Sequence, residues 1–221
     1  MPDTTDSQLT RQLERNSMRK FALVTGATSG IGWAFAERLA ADGYDLVIVG
    51  RRRERMEAFA GSHPDVKVRA VAADLSTGVG VDAVAGICAA EPLTMLVNNA
   101  SGPAPHSQLP RRVVYAGTLA YLVAMSQTLS AELEGTGVTV QVVCPGVVAT
   151  EFHQRQGMDL SMVPRMTAGD VVTASLRGLE LGETVCAPGV EDASLLDAIF
   201  QADLAAFGAQ SPQLATRYRA T

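Results

Sequence analysis

Thr25-Gly26-Ala27-Thr28-Ser29-Gly30-Ile31-Gly32 is the stretch that decides how this chain folds. The apolar run Phe21-Ala22-Leu23-Val24 precedes it, and the helical pattern Trp33-Ala34-Phe35-Ala36-Glu37-Arg38-Leu39-Ala40 follows. A glycine-rich turn between a strand and a helix builds a pyrophosphate site. Its glycines let main chain approach phosphate, and the helix start offers free N–H groups at the positive end of the dipole. Gly26, Thr28, Ser29, Gly30, Ile31 and Gly32 are therefore candidate contacts of a dinucleotide.

Working outward, strand-like and helix-like segments alternate. Strands are expected at about 20–25, 45–49, 66–71 and 93–97, with helices at about 30–42, 52–60 and 79–90 between them. Asp42-Gly43 closes the first helix, glycine supplying the left-handed cap. Residues 98–112, rich in Pro, Gly, Ser and Asn, read as loop. A long helix is expected over about 113–134, with Leu119, Leu122, Leu129 and Leu133 at helical spacing. A strand at 138–143, a loop through Pro145 and Gly146, a helix near 168–178 and a short strand at 183–187 complete the alternation. The tail at 190–207 reads as an amphipathic helix. Such alternation predicts an α/β fold, a Rossmann-type doubly wound parallel sheet of six strands with helices on its faces. Residues 18–221 form one domain on this reading, after a polar extension at 1–17 that lacks the apolar core of a signal peptide.

Bulk properties narrow the partners. The chain has 221 residues, 47% of them apolar, enough for a sizeable core. Its net charge of −5 argues against a non-specific nucleic-acid surface. No apolar run approaches the ~20 residues of a membrane-spanning helix. Cys88, Cys144 and Cys186 lie far apart in apolar segments, which predicts neither disulfide nor metal site and fits a reducing, cytoplasmic setting. His63, His106 and His153 are equally isolated, with no ligand spacing.

Four short patterns in order resemble the short-chain dehydrogenase/reductase family. Thr25-Gly-x-x-x-Gly30-x-Gly32 resembles its cofactor turn. Asp74-Leu75, after the third strand, resembles its adenine-contacting pair. Asn98-Asn99-Ala100 resembles its Asn-Asn-Ala-Gly motif, with Ser101 in the place of the glycine. Pro145-Gly146-Val147-Val148-Ala149-Thr150 resembles the segment that contacts the nicotinamide carboxamide. The resemblance spans about residues 19–190 and implies cofactor contacts at Asp74, Leu75, Asn98, Ala100, Val148 and Thr150. It also implies a nicotinamide-dependent oxidoreductase acting on a small carbonyl or secondary alcohol.

The end of the second strand chooses between the two nicotinamide cofactors. A carboxylate there binds the ribose 2′-OH of NAD, whereas arginine accommodates the 2′-phosphate of NADP. This chain carries Gly50-Arg51-Arg52 at that place and no carboxylate. Guanidinium pairs well with phosphate, so Arg51 and Arg52 favour NADP(H) over NAD(H). Solvated positions at the start of the next helix are the alternative for these arginines.

The catalytic set is where the chain departs from the family. There a Tyr is followed four residues later by a Lys, with a Ser on the preceding strand and an Asn on an earlier helix. Tyr115 occupies the Tyr place, but Leu119 stands where the Lys belongs. Only fifteen residues separate Asn99 from Tyr115, where the family has several tens. The missing stretch would carry one helix and one strand, with the Asn and the Ser. Without a cation its tyrosine keeps a pKa of roughly 10 and stays protonated near neutrality. A cation ~4 Å from a developing tyrosinate is worth on the order of 4 kcal/mol at an effective dielectric near ~20. Its loss corresponds to as much as about a thousandfold in rate. Ser107, His106, Arg111 and Arg112 are nearby substitutes, or simply a polar loop.

Two readings stay open on these residues: an NADP(H)-dependent oxidoreductase, and a catalytically inactive NADP(H)-binding relative. The lost strand also leaves two arrangements. The strand at 138–143 slides beside the strand at 93–97, or it keeps its place and leaves two unpaired edges. The lost helix belongs to the face through which the family forms dimers and tetramers, so homo-oligomers would lack part of that interface. The Met, Leu and Val content of 151–166 hints at an apolar substrate.

Overall fold

The computed structural model describes residues 20–100, 112–155, 159 and 162–219. Strands β1 (Phe21–Thr25), β2 (Asp45–Gly50), β3 (Val68–Ala72) and β4 (Met95–Val97) form a parallel sheet in the order β3-β2-β1-β4. β1 and β2 pair in register from Phe21 opposite Asp45 to Thr25 opposite Val49. β2 continues onto β3 with Leu46 opposite Val68, and β1 onto β4 with Ala22 opposite Met95. The two central strands are apolar and buried along their length, because helices cover both faces.

Helices α1 (Gly30–Ala41), α2 (Arg53–Ser62) and α3 (Gly78–Ala90) fill the connections of this sheet. On one face, Phe35, Ala36 and Leu39 of α1 and Met56 and Phe59 of α2 pack on Ala22, Val24, Leu46 and Ile48. On the other, Val84 of α3 packs on Leu23, Val47 and Val49. The alternation of side chains along each strand sends the odd and even positions to these two cores.

The second half contains α4 (Arg112–Glu132), β5 (Val142–Val143), the short α5 (Glu151–Arg155), α6 (Ala168–Leu181), β6 (Val185–Cys186) and α7 (Ser194–Gly208). The six expected strands are present, but in two ladders. β5 pairs only with β6, in parallel, and among the described residues no ladder joins β4 to β5. Among the described residues the arrangement is the second of the two open to the sequence, with one edge of β4 and one of β5 unpaired. β5 and β6 have only each other as described neighbours, and they shrink to two residues each.

α6 joins the two ladders. Thr167 caps it with a full capping box: its hydroxyl accepts from the Asp170 N–H at 3.1 Å, and the Asp170 carboxylate accepts from the Thr167 N–H at 3.3 Å. Val171 and Val172 are buried, and Val172 and Leu176 pack into the α1 core. On the side facing β5, the Ser175 hydroxyl donates to Gln141 Oε1 at 2.7 Å. One helix thereby packs into the large core while bonding to the approach to the small ladder.

α4 forms where the leucine spacing predicts a helix. Leu119, Leu122 and Leu129, at the spacing of a buried stripe, are 45%, 40% and 38% exposed. Leu96 of β4 is 55% exposed beside the gap. α7 is likewise exposed along most of its length, with Leu195, Leu204 and Phe207 open.

Candidate functional site

The carboxyl ends of β1, β2, β4 and β5 open into a cleft of about 1370 Å³. Open parallel sheets bind ligands at this rim, where the strand order reverses between β1 and β4. The glycine-rich turn forms its floor. Gly26 takes φ +67° and Gly30 φ +59°, a left-handed conformation that glycine adopts without steric cost. A Cβ on Gly32 would meet the Gly26 carbonyl oxygen at 2.6 Å and run into the Asn99 amide, so only glycine lets α1 start this close to β1. The N-terminus of α1 therefore opens on the cleft with no side chain at its first position.

Thr25 ties the turn to the Asn-Asn-Ala segment. Its buried Oγ1 accepts from the Asn99 and Ala100 N–H groups, both at 2.9 Å. Its hydroxyl donates toward Asn98 Oδ1 at 3.2 Å, and Asn99 Nδ2 donates to the Thr25 carbonyl at 3.2 Å. One hydroxyl thus sets where β4 releases its chain into the cleft.

The other candidate contacts fall as follows. Gly26, Thr28, Ser29, Gly30, Ile31, Arg51, Arg52, Asp74, Leu75, Ala100, Val148 and Thr150 line the cleft. Gly32 and Asn98 stand behind its wall and act through packing and through Thr25. Asp74 Oδ1 accepts from the Ser76 N–H at 3.0 Å and the Ser76 hydroxyl at 2.8 Å. These bonds, the backbone one first, hold the Asp74 carboxyl below its ordinary range. The Tyr115 backbone lies in the first turn of α4, and its side chain lies outside the described residues, as do Ser107, His106 and Arg111 and the side chain of Arg112. Leu119 lines the cleft, so an apolar side chain stands on its wall at the position where the resemblance implies a lysine.

After β2, Arg52 bonds to the turn itself. Its Nη2 donates to the Thr28 carbonyl at 2.8 Å and to Thr28 Oγ1 at 2.9 Å. Arg55 Nη1 reaches the same carbonyl at 3.1 Å and Glu151 Oε1 at 3.1 Å. Glu151 also pairs with Arg52 at 3.5 Å and with Arg155. The Arg55 hydrogen bond, reinforced by Arg155, brings the Glu151 carboxyl down to about 2 against the opposing effect of burial. Among the described residues of 151–166, Glu151 and Arg155 bring charge to the cleft and Phe152 an apolar side chain, whereas Met158 and Leu160, part of the expected apolar content, lie outside the described residues. Cys144 also lines the cleft, and burial pushes its thiol up, away from the reactive thiolate.

The short chain dehydrogenase family model matches residues 20–111 and 104–160 of this chain. The chain belongs to the short-chain dehydrogenase family. The match comes in two pieces that meet just before Tyr115, at the place where the sequence is short. Among relatives in this family, the sulfoacetaldehyde reductase of Chromohalobacter salexigens is 30% identical over 189 residues, which covers 61% of this chain and 75% of the relative. The serine 3-dehydrogenase of Agrobacterium fabrum is 30% identical over 184 residues, covering 59% and 72%. Alignments this long that occupy so little of this chain mean that the relatives carry stretches it lacks. A short-chain dehydrogenase from Sphingobium yanoikuyae, solved in complex with NADPH, superposes with a TM-score of 0.81 at 29% identity, covering 90% of this chain and 100% of that one.

Glu151 and Arg155 are the site residues that sequence reading missed. Their partners Arg52 and Arg55 lie close to 100 positions away, and only the path of the chain after β5 brings them together. Thr25 was visible as part of the motif but not as its organiser.

Proposed function

We propose that this cleft binds NADP(H), and that the chain is an oxidoreductase of a small carbonyl or secondary alcohol working without the family's full catalytic set. The observation that carries this reading is the glycine cradle opening directly onto Arg51 and Arg52, with no carboxylate at the end of β2. The α1 N-terminus and the close-packed glycines suit a pyrophosphate. Arg51 and Arg52 suit the 2′-phosphate, while Asp74 and Leu75 flank the adenine position and Val148 and Thr150 the nicotinamide position. The bound cofactor supplies or accepts the hydride. On this reading Tyr115 is the proton donor to the substrate oxygen, a hydrogen-bonding acid with Leu119 in place of the lysine four residues on. The three free cysteines suit a reducing, cytoplasmic compartment.

Leu119 favours a second reading, in which cofactor binds and no substrate turns over. Calorimetric titration with NADPH and NADH, followed by turnover on a panel of ketones, aldehydes and alcohols, separates the two. The first reading expects tighter NADPH binding and slow reduction that Tyr115→Phe abolishes. Unchanged turnover in that variant overturns the role given to Tyr115. NADPH binding with no turnover on any member of the panel establishes the second reading, and equal affinity for the two cofactors overturns both.

A further inference from the structure

Three guanidiniums, Arg52, Arg55 and Arg155, share one carboxylate, Glu151. Their arrangement is not symmetric. Arg55 does not line the cleft and holds Glu151 from behind, whereas Arg52, Glu151 and Arg155 face the cleft. The cluster therefore carries two uncompensated positive charges, and two of its three cations, Arg52 and Arg155, line the cleft. Arg52 is under strain from this crowding: burial and then the charges of Arg155 and Arg55 lower its pKa, and Glu151 offsets only part of that. Arg51, immediately before Arg52, lines the same cleft.

A phosphate monoester near neutral pH brings close to two negative charges and three acceptor oxygens. It would neutralise the cluster and replace mutual repulsion with charge-assisted hydrogen bonds. Resting on the reading of the cleft as an NADP(H) site, the geometry assigns Arg155, on the short helix beyond the Pro145-Gly146 segment, as a further binding residue for the 2′-phosphate of the cofactor. Glu151 is the positioning residue that holds Arg155 at the cleft and is itself anchored by Arg55. The phosphate is then gripped from both sides of the cleft, by Arg51 and Arg52 after β2 and by Arg155 after β5.

The test uses the full chain and two probes that differ by one group, 2′,5′-ADP and 5′-ADP. Calorimetric titrations are run on the wild type, Arg155→Met and Arg155→Lys at low ionic strength. Arg155→Met is expected to weaken 2′,5′-ADP about tenfold and to leave 5′-ADP unchanged. Arg155→Lys, which keeps the charge but loses the fork, is expected to cost about threefold for 2′,5′-ADP alone. Equal weakening of both probes in Arg155→Met marks a merely structural residue and overturns the assignment. So does a 2′,5′-ADP preference that survives intact in Arg155→Met, and that result leaves the NADP(H) reading standing. A wild type that shows no preference for 2′,5′-ADP over 5′-ADP overturns the NADP(H) reading and this assignment with it.

Discussion

Thr25 shows how much of the cleft hangs on one hydroxyl. It is 3% exposed and accepts two main-chain N–H groups from the segment that leaves β4. Thr25→Val keeps the shape and strands both donors. The expected cost is roughly 1–3 kcal/mol in urea unfolding, with weaker NADPH binding because Asn99 and Ala100 lose their anchor. Leu119 is the opposite case, a position with room for change. Its side chain is 45% exposed on the cleft wall, so Leu119→Lys is expected to fold normally. That variant alone should not raise turnover to the level of intact family members, because on the sequence reading the family's serine has no counterpart on a strand of this chain either; steady-state kinetics with NADPH measure this. The contacts nearest the turn were legible from local spacing, since Gly26, Thr28 and Gly30 act within a few residues of one another. Glu151 and Arg155 were not, because an ion pair across the cleft depends on tertiary path rather than on any local pattern.

Among the elements, α5 is attached to the first half of the molecule chiefly by charge. Glu151 takes up its proton near 4.5 in the unfolded chain and only at about 2 in the folded one. The unfolded state therefore binds more protons between those values, and this contribution to stability is present above about 4.5 and fades as pH falls toward about 2. Its size is modest, because Glu151 and its arginines are solvent-screened. The stability difference between wild type and Glu151→Gln should narrow between about pH 5 and about pH 3 in urea titrations, whereas a constant difference would exclude this linkage. α6 depends instead on its cap and its buried valines. Removing the Thr167 side chain with Thr167→Ala is expected to cost about 1 kcal/mol by the same measurement. Strand and helix positions were readable because apolar runs and helical spacing report an element's existence. They do not report its neighbours: the run 138–143 announces a strand, and nothing in it says that only Val142 and Val143 will find a partner. The leucines of α4 show the same limit, their spacing marking a helix without showing what covers it.

For the whole molecule, the division of the sheet matters most. The cleft is lined from the large ladder by the glycine-rich turn and Asp74, and from the small one by Val142, Val143 and the Pro145–Thr150 segment. A ligand filling it would contact both ladders. NADPH at about 100 times its dissociation constant should stabilise the fold by about 2.7 kcal/mol, read as a rise in the thermal unfolding midpoint. No rise would mean that the cleft does not take the cofactor.

The gap between β4 and β5 also bears on how the protein opens. With no ladder across it among the described residues, the unit made of β5, α6 and β6 is held to the rest through α6 packed on α1, through the Ser130–Thr184 hydroxyl pair with α4 and through side chains at the cleft rim. Native-state amide hydrogen exchange should therefore find this unit opening as a block of its own, at a free energy below that of the β1–β2 core. The amides of Val142 and Cys144, bonded to Thr184 and Cys186 at 2.8 and 2.7 Å, should exchange together with one another and ahead of those in β2. The lost strand would then leave a protein with two exchange rates, the slower belonging to the half that carries the glycine-rich turn.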